Sequence, residues 1–557
     1  MKNVISGFKV LTEKPCVNNL LEFEMDVPQE AEMLNVYKKD EVDITLKMVS
    51  ASGNIISADA FYYEEYLFAE DGEIKTRTEK NPCFRIRVMP TKEGKWSYTV
   101  SLKIKNENKD TLTGCIDIYK SEKESRLLSI EPIRKQVFAT SSGEPVIMIG
   151  ENLNYNNPIS DKNCFAKYIT ENMKILAHNG ANHVRIFDKI ESGSQIRDGV
   201  YNMSQAASAM WDRIFFTADE LGMYVSFVTV DFWELTQNIF QKSCWNKENG
   251  GYITSATEFF SNSETKEAYK EYLRYIVSRF GYSESLFTWE LFNEVDRTDA
   301  MNEGRYKEIS EWLYEMAAYI KEMNINNHLV SNSIFFTNLI AAFYKPFDFI
   351  YFHQCNNASV SYLAEIQKSF YGAYERPAIN GDGGVVGATA ALCGDSITED
   401  LTVVHQGNWA GVMGCGAGTV MNNSWHRLSQ LKGEWCYKAV SEIAKRIPWC
   451  DKKIKSVTFE TVKPSNSQIS LLGYMGDNYA YLWLYDNHLM PINRKETLFE
   501  NETVSMKIEN GSYTVSWINT RSGEEVKCDT VLVSGNILSV NMPIWSKDIA
   551  LVVELVR

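Results

Sequence analysis

The residues of this chain best suited to chemistry form an Asn-Glu pair behind a short apolar run. Asn293 and Glu294 follow Phe287–Phe292, whose length and aromatic content are typical of a buried strand. Cleavage of a glycosidic bond uses one carboxyl group to protonate the leaving oxygen and a second to support the anomeric carbon or to activate a water. Glu294 is therefore a candidate general acid/base, and Asn293 is a candidate donor to a sugar hydroxyl. The structural alternative for Glu294 is a surface carboxylate or a salt bridge at the rim.

A second carboxylate is needed to face Glu294, and Asp382 is the best candidate. It lies in Arg376–Gly384, where a short strand-like run after the proline leads into glycines. The glycines predict either a close approach of the backbone to a substrate or a mobile loop. Three further carboxylates follow other strand-like runs and are kept in reserve: Asp188, Asp231 and Glu234.

Size and composition indicate a large acidic protein. The 557 residues exceed one ordinary domain, so about two to four domains are expected. The net charge of −15 argues against nucleic acid and anionic membranes as partners. The 11 cysteines are odd in number and lack metal-type spacing, which favours reduced thiols over disulfides. The sequence shows no signal peptide and no apolar run long enough to span a membrane, so a cytoplasmic protein is expected. A secreted protein whose leader has been removed would show the same features.

Three regions differ in their hydrophobic periodicity. Residues 1–125 alternate in period two between turn signals, which predicts an N-terminal β-sandwich. Residues 127–450 alternate strand-like runs with helical segments, which predicts a (β/α)8 TIM barrel whose first strand is Pro145–Gly150 and whose last is near Gly416–Met421. Residues 455–557 return to alternating strands and predict a C-terminal β-sandwich. In such a barrel the active site lies at the carboxyl ends of the strands, where Glu294 would follow the fourth.

The strand before Glu294, together with motifs at both ends of the chain, resembles the clan A glycoside hydrolases, most closely the family-5-like barrels. Their fourth strand carries Asn-Glu, matched by Trp289–Glu294, and their seventh ends on a glutamate nucleophile. The subgroup that the chain resembles has a sandwich of unknown function before the barrel and a small sandwich of collagen-binding type after it. The matches to these flanking regions are Val17–Glu22, Phe61–Tyr63, Phe84–Pro90, Gly94–Trp96, Tyr513, Trp517, Gly523, Pro543 and Asp548–Leu551. The resemblance covers nearly the whole chain and is more specific for fold than for substrate.

The resemblance also implies substrate-binding roles for four residues on other strands. In the family, the second strand ends on an arginine that orients the nucleophile, and Arg185 matches it. The sixth strand supplies a histidine near the active site, and His353 fits. Trp425 is the nearest match to the aromatic platform of the eighth strand, and Trp233 is a second candidate platform after the third. The structural alternatives are an internal salt bridge for the arginine and core packing for the rings.

The seventh strand departs from the family pattern. Asp382 stands where the family has glutamate, which withdraws the carboxylate by roughly 1.5 Å, one C–C bond. Retaining enzymes hold their carboxyl groups about 5–5.5 Å apart and inverting enzymes about 6.5–9.5 Å apart. Three outcomes are open: a backbone shift restores a nucleophilic aspartate, a wider gap admits a water and inverts the product, or the site binds sugar without cleaving it.

These observations predict a glycoside hydrolase acting on β-type bonds of oligosaccharides, with Glu294 as general acid/base and Asp382 as nucleophile or base. The alternative is a carbohydrate-binding pseudoenzyme, and a third reading, matrix binding by the C-terminal sandwich, fits a cytoplasmic chain poorly. No cofactor and no metal are expected, because hydrolysis needs none and no cluster has ligand spacing. The expected partner is an oligosaccharide or glycoside substrate, with no nucleic acid and no membrane, and homo-oligomerisation is left open.

Overall fold

A computed structural model of the chain describes residues 4–70, 72–153, 162–188, 203–335, 341–354, 360–383, 401–422, 425–488 and 496–556. The chain divides into two compact units. Unit 1 comprises residues 1–128, 157–173 and 186–348, and unit 2 comprises residues 129–156, 174–185 and 349–557. Among the helices of the described ranges, none is long and apolar enough to cross a membrane.

The strands are numbered in chain order. The N-terminal ones are β1 Lys9–Val10, β2 Leu21–Asp26, β3 Val42–Ser50, β4 Ile55–Asp59, β5 Phe61–Tyr63, β6 Tyr66–Phe68, β7 Ile74–Arg77, β8 Cys83–Val88, β9 Gly94–Ile104 and β10 Glu107–Ile118. The central ones are β11 Leu128–Ile130, β12 Phe138–Thr140, β13 Pro145–Val146, β14 Gly150–Asn152, β15 His183–Phe187, β16 Tyr224–Val228, β17 Leu286–Glu290, β18 Leu329–Ser331, β19 Ser333–Ile334, β20 Ile350–Gln354 and β21 Ala378–Gly383. The C-terminal ones are β22 Lys455–Ser456, β23 Val462–Pro464, β24 Ile469–Met475, β25 Tyr479–Asp486, β26 Leu498–Phe499, β27 Thr503–Lys507, β28 Gly511–Ile518, β29 Glu525–Val533, β30 Ile537–Asn541, β31 Trp545–Ser546 and β32 Asp548–Leu555.

The helices lie between the central strands and before β22. The α-helices are α1 Phe165–His178, α2 Gln205–Leu221, α3 Gln237–Phe240, α4 Ser263–Phe280, α5 Asp299–Asn302, α6 Tyr306–Met323, α7 Ala341–Tyr344, α8 Val360–Tyr374, α9 Thr402–Cys415, α10 Trp425–Gln430 and α11 Lys438–Arg446. Short 3-10 helices are Gln29–Ala31, Lys162–Cys164, Phe232–Leu235, Lys247–Asn249, Ala256–Glu258, Val295–Arg297 and Gly433–Tyr437.

The N-terminal part of unit 1 consists of antiparallel strands around one core. Two four-stranded sheets have the orders β1-β2-β8-β5 and β10-β9-β3-β4, and β6 pairs with β7. Alternate residues of β3, among them Leu46 and Met48, share an apolar cluster with Phe84 and Ile86 of β8. This alternation follows from the opposite directions of successive side chains along a strand. The predicted boundary near residue 125 stays a prediction.

The rest of unit 1 repeats a strand and a helix. The strands β16, β17 and β18 pair in parallel and in chain order, with α4 before β17 and α6 before β18. The pairing of β16 and β17 continues past the strands through a bridge between Asp231 and Asn293. The Asp188 N–H, just after β15, donates to the carbonyl oxygen of Val228 at 2.9 Å. The carboxyl ends of these strands therefore carry the reserve aspartates and the Asn-Glu pair.

A buried charge network connects β8 with the helices of unit 1. Arg87 lies 2.5 Å from Asp212 of α2 and 2.7 Å from Glu22 of β2, and Arg279 of α4 lies 2.7 Å from Asp212. Burial alone would raise the pKa of Asp212, but the guanidinium groups of Arg279 and Arg87 hold it below the usual value. Because removing one partner leaves a buried charge without compensation, this network couples the N-terminal sheet to α2 and α4.

Unit 2 contains a second set of parallel pairings. The strand β14 pairs in parallel with the first residues of β15, and β20 pairs in parallel with β21. Single parallel bridges connect Met148 with Gly418 and Gly383 with Asn422. The segment 418–422 therefore lies between β14 and β21, where the sequence predicts the last strand. The succession of parallel strands and helices is of the TIM-barrel type, so the coarse prediction of fold class is confirmed.

The predicted start of the first barrel strand is wrong. Pro145 and Val146 form β13, which pairs antiparallel with β12, and parallel pairing with β15 begins only at Gly150. The reason is the tight turn that ends at Gly143, whose φ of 86° is favourable for glycine and folds the chain back on β12. Periodicity cannot separate two apolar segments that follow each other without a gap.

The C-terminal part of unit 2 is built from antiparallel strands. A six-stranded sheet has the order β22-β24-β25-β32-β28-β29, a three-stranded sheet has the order β23-β27-β30, and β26 pairs with β31. Leu482, Val504 and Trp517 belong to the apolar cluster that the larger two sheets share. The predicted boundary near residue 455 stays a prediction.

Candidate active site

Glu294 has an unusual backbone conformation. It follows β17 and precedes the 3-10 helix Val295–Arg297, with φ 51° and ψ 51°, in the left-handed region. For a residue with a Cβ atom this conformation costs about 1–2 kcal/mol. The side chain is also buried, at 3% exposure. Strained residues of this kind persist where the surroundings fix them, and they concentrate at functional sites.

A chain of hydrogen bonds fixes this conformation. The Glu294 N–H donates to Oγ of Ser333 at 3.0 Å, and the Ser333 hydroxyl donates to Oδ1 of Asn293 at 3.1 Å. Nδ2 of Asn293 donates to Oδ1 of Asp231 at 2.7 Å. Sequence reasoning missed Ser333, although it lies in a polar run directly after β18. The amide of Asn293 is thus held in one orientation, and its contact with a sugar hydroxyl stays a prediction.

The carboxylate of Glu294 is held by Arg297. Nη1 of Arg297 lies 2.9 Å from Oε2 of Glu294. The guanidinium group also packs on aromatic rings, 4.3 Å from the centre of Phe232, 4.7 Å from that of Phe335 and 5.9 Å from that of Trp233. The salt bridge considered as the alternative for Glu294 is therefore present, on a buried carboxylate. Trp233 is half-buried beside this cation, which leaves part of its ring exposed for the predicted stacking on a sugar.

The reserve carboxylates of unit 1 are buried and tied to neighbouring groups. Oδ2 of Asp188 accepts a hydrogen bond from the Tyr272 hydroxyl at 2.8 Å. Asp231 accepts from Asn293, and Glu234 is buried in the 3-10 helix Phe232–Leu235. Asp231 therefore contacts the Asn-Glu pair directly, through Asn293.

In unit 2, Asp382 follows a β-bulge. It is buried on β21, and the register between β20 and β21 shifts so that Phe352 is opposite Asn380 and His353 is opposite Asp382. Gly381 is the extra residue, and a Cβ atom there would lie 2.8 Å from the Tyr351 ring. A bulge bends its strand and re-aims the next side chain, so Gly381 decides the direction of Asp382.

Arg185 reaches this bulge through an asparagine. It is fully buried, and Nη1 donates to Oδ1 of Asn152 at 3.1 Å, while Nδ2 of Asn152 donates to the carbonyl oxygen of Gly381 at 2.9 Å. Its guanidinium group lies 5.7 Å from the centre of the Tyr351 ring. Arg185 therefore fixes the backbone beside Asp382, in a position consistent with the orienting role that the resemblance implies. Sequence reasoning missed Asn152.

Glu151 is a buried carboxyl group that sequence reasoning also missed. The Tyr437 hydroxyl donates to its Oε2, and the Asn152 N–H donates to its Oε1 at 3.1 Å. Burial raises the pKa of Glu151 well above the usual value, and the charge of Asp382 adds to this, against the opposing hydrogen bonds. Its signal in the sequence is the polar pair Glu151–Asn152 after an apolar run. This carboxyl favours its neutral form beside Asp382.

The other two predicted residues of unit 2 are buried. His353 is 1% exposed on β20, opposite Asp382 in the strand register. Trp425 is 1% exposed and is the first residue of α10. Core packing is thus the observed state of this indole ring, and its role as a sugar platform stays a prediction.

Comparison with known proteins points to glycoside hydrolases. No protein-family model matches the chain. It is 26% identical over 153 residues to mannan endo-1,4-beta-mannosidase F of Aspergillus clavatus, covering 28% of this chain and 31% of that protein. It is 32% identical over 95 residues to mannan endo-1,4-beta-mannosidase 3 of Oryza sativa subsp. japonica, covering 16% of this chain and 20% of that protein. The chain thus spans less than a third of the length of these relatives.

The fold is also similar to a solved structure, that of a candidate glycoside hydrolase from Bacteroides vulgatus. The TM-score is 0.62 and the sequence identity is 12%, over 98% of this chain and 100% of the other. At this identity the similarity concerns the fold.

The strain at Glu294 predicts which replacement is better tolerated. Glu294→Gly and Glu294→Ala both remove the carboxylate, but glycine adopts positive φ without the Cβ penalty. We expect the glycine variant to have the higher free energy of unfolding, by about 1 kcal/mol, in urea denaturation. Equal stability, or a more stable alanine variant, would contradict the left-handed conformation.

The raised pKa of Glu151 predicts a pH-dependent stability. Its proton stabilises the fold fully below the usual carboxyl pKa of 4.5, and this contribution is lost as the pH rises through the raised folded value. In Glu151→Gln the amide cannot titrate, so the free energy of unfolding of this variant should increase relative to that of the parent as the pH rises from 4.5. The slope is at most about 1.4 kcal/mol per pH unit. A difference between variant and parent that stays constant over this pH range would contradict the raised pKa of Glu151.

Proposed function

We propose that this protein is a glycoside hydrolase that cleaves β-linked sugars by double displacement, with Glu294 as general acid/base and Asp382 as nucleophile. One observation carries the proposal: a buried, conformationally strained glutamate follows a parallel strand, with an asparagine fixed beside it. The similarity to mannan endo-1,4-beta-mannosidases supports the reaction class.

Glu294 is suited to proton transfer because its position is fixed. Its backbone is held through Ser333. General acid–base catalysis contributes typically about 10²–10⁴-fold, and it depends on correct placement of the donor. In the proposed reaction, Glu294 protonates the leaving oxygen and later removes a proton from the attacking water.

Asp382 is proposed as nucleophile because the bulge at Gly381 compensates for its shorter side chain. The extra residue bends β21 just before the aspartate, and Arg185 holds this backbone through Asn152. The sequence leaves three outcomes open for Asp382. The bulge supports the first of them, a backbone shift that restores a nucleophilic aspartate. Burial raises the pKa of Glu151 beside Asp382, which disfavours a second negative charge there.

The substrate class follows from the relatives. Both are named for endo-1,4-β-mannosidase activity on mannan, so β-1,4-linked mannan and its oligosaccharides are the first substrates to test. Trp233, half-buried beside Arg297, is the proposed stacking surface for a sugar ring.

Removal of either carboxylate should abolish hydrolysis. Glu294→Gln and Asp382→Asn keep the shape of the side chain and remove its acid–base or nucleophilic capacity. We expect kcat/KM on soluble β-1,4-mannan and aryl β-mannosides to fall by about 10²-fold or more in each variant. Reducing-sugar release and aryl release measure this. The matched controls Asp40→Asn and Glu107→Gln, at exposed positions of unit 1, should keep the parent activity.

Two results would contradict the proposal. One is a Glu294→Gln or Asp382→Asn variant that keeps the hydrolytic activity of the parent. The other is a parent that binds oligosaccharides but hydrolyses none of a broad panel of aryl β-glycosides, which would establish the carbohydrate-binding pseudoenzyme.

A further inference from the structure

Unit 1 contains a cavity of about 850 Å³ that none of the proposed catalytic residues lines. Its walls come from residues 237–257, which follow β16 through the Trp233 helix, and from Asp299 and Glu303, which follow Glu294. Small-molecule sites typically have volumes of about 300–1,000 Å³. The cavity is therefore large enough for a ligand and is built on the same chain segments that carry Glu294 and Trp233.

The lining of this cavity is polar. Half of the lining residues carry amide or hydroxyl side chains, namely Gln237, Gln241, Asn246, Thr254, Ser255 and Thr257, and Phe240, the aromatic residue of the lining, is itself buried. Such groups donate to and accept from hydroxyl groups in both directions. The lining carboxylates Glu248, Asp299 and Glu303 outnumber the single lysine, Lys247. A hydroxyl-rich neutral ligand fits this set better than an anionic one.

The walls are held together before any ligand binds. The Gln237 N–H donates to the carboxylate of Asp299, and Nη1 of Arg305 donates to the carbonyl oxygen of Thr257 at 3.1 Å. Trp245, fully buried under the segment, packs against Phe259 with ring centres 5.2 Å apart. A site whose shape is fixed in advance avoids the entropy of ordering on binding. Burial raises the pKa of Asp299, consistent with a partly enclosed position.

A metal ion is a poorer occupant than a saccharide. The cavity is far larger than an ion needs, and its carboxylates form no group with metal-ligand spacing among the residues that the structure describes. Side-chain amides and hydroxyls are instead groups that bind the hydroxyl groups of a sugar.

We propose that this cavity is an accessory binding site for a neutral saccharide. The proposal rests on the proposed function in one respect, the choice of β-1,4-linked manno-oligosaccharide as ligand. Because Asp299 begins α5, the second helix after Glu294, an oligosaccharide held here is anchored on the chain segment that follows the catalytic residue. The site would favour polymeric over short substrates.

Calorimetric titration with β-1,4-mannotetraose tests the proposal in a Glu294→Gln background, which prevents turnover. Gln241 is exposed, so Gln241→Trp fills the cavity without disturbing the core. We expect two binding sites in Glu294→Gln and one after Gln241→Trp is added. The control Gln430→Trp makes the same change at an exposed helix end and should keep two. Asp299→Asn is a second, isosteric variant, for which we expect affinity at this site to fall about three- to tenfold.

Activity gives an independent readout. In the otherwise unmodified protein, Gln241→Trp should raise KM for soluble mannan about three- to tenfold and leave kcat/KM on an aryl mannoside unchanged. One site in all four titrated proteins, or tighter binding of an anionic tetragalacturonate than of mannotetraose at the second site, would overturn the accessory site. Failure of the proposed function is recognised separately, as absence of hydrolysis in the parent, because the titration does not need turnover.

Discussion

The left-handed backbone of Glu294 is the constraint on which the proposed chemistry depends. A glutamate does not adopt this conformation without cost, and three groups offset that cost here: the Ser333 hydroxyl that accepts its N–H, the Arg297 guanidinium that holds its carboxylate, and the 3-10 helix that begins at the next residue. The consequence is a buried carboxylate with a defined direction at the carboxyl end of β17. Glu294 is thus placed by its hydrogen bond to Ser333 of β19 and by its own loop, since β17 itself ends at Glu290.

A second backbone constraint, of a different kind, operates in unit 2. Gly381 adds one residue to β21, and the Tyr351 ring leaves no room for a larger residue there. Arg185 and Asn152 hold the carbonyl group of that glycine, so the direction of Asp382 depends on residues of two other strands. In both halves, a local departure from regular strand geometry is stabilised by polar side chains from neighbouring strand ends. This is why strand ends can carry reactive groups while the strands themselves remain regular.

Sequence patterns predict the regular parts of this protein well. The strand expected before Glu294 is β17, because apolar periodicity is dominated by burial. The patterns do not predict features of the structure that depend on single contacts. Pro145 and Val146 form a hairpin strand instead of the first barrel strand because of the turn at Gly143. Glu151 is marked in the sequence only by a polar pair after an apolar run, and its raised pKa arises only when folding buries it near Asp382.

The most direct test of the account is the anomeric configuration of the first product released from an aryl β-mannoside, or from whichever aryl β-glycoside the protein cleaves, followed by proton NMR. Double displacement through Asp382, with Glu294 serving first as acid and then as base, predicts that the β-anomer forms first and the α-anomer appears only later by mutarotation. Initial formation of the α-anomer would contradict the account, because it would require direct attack by water with Asp382 as a base.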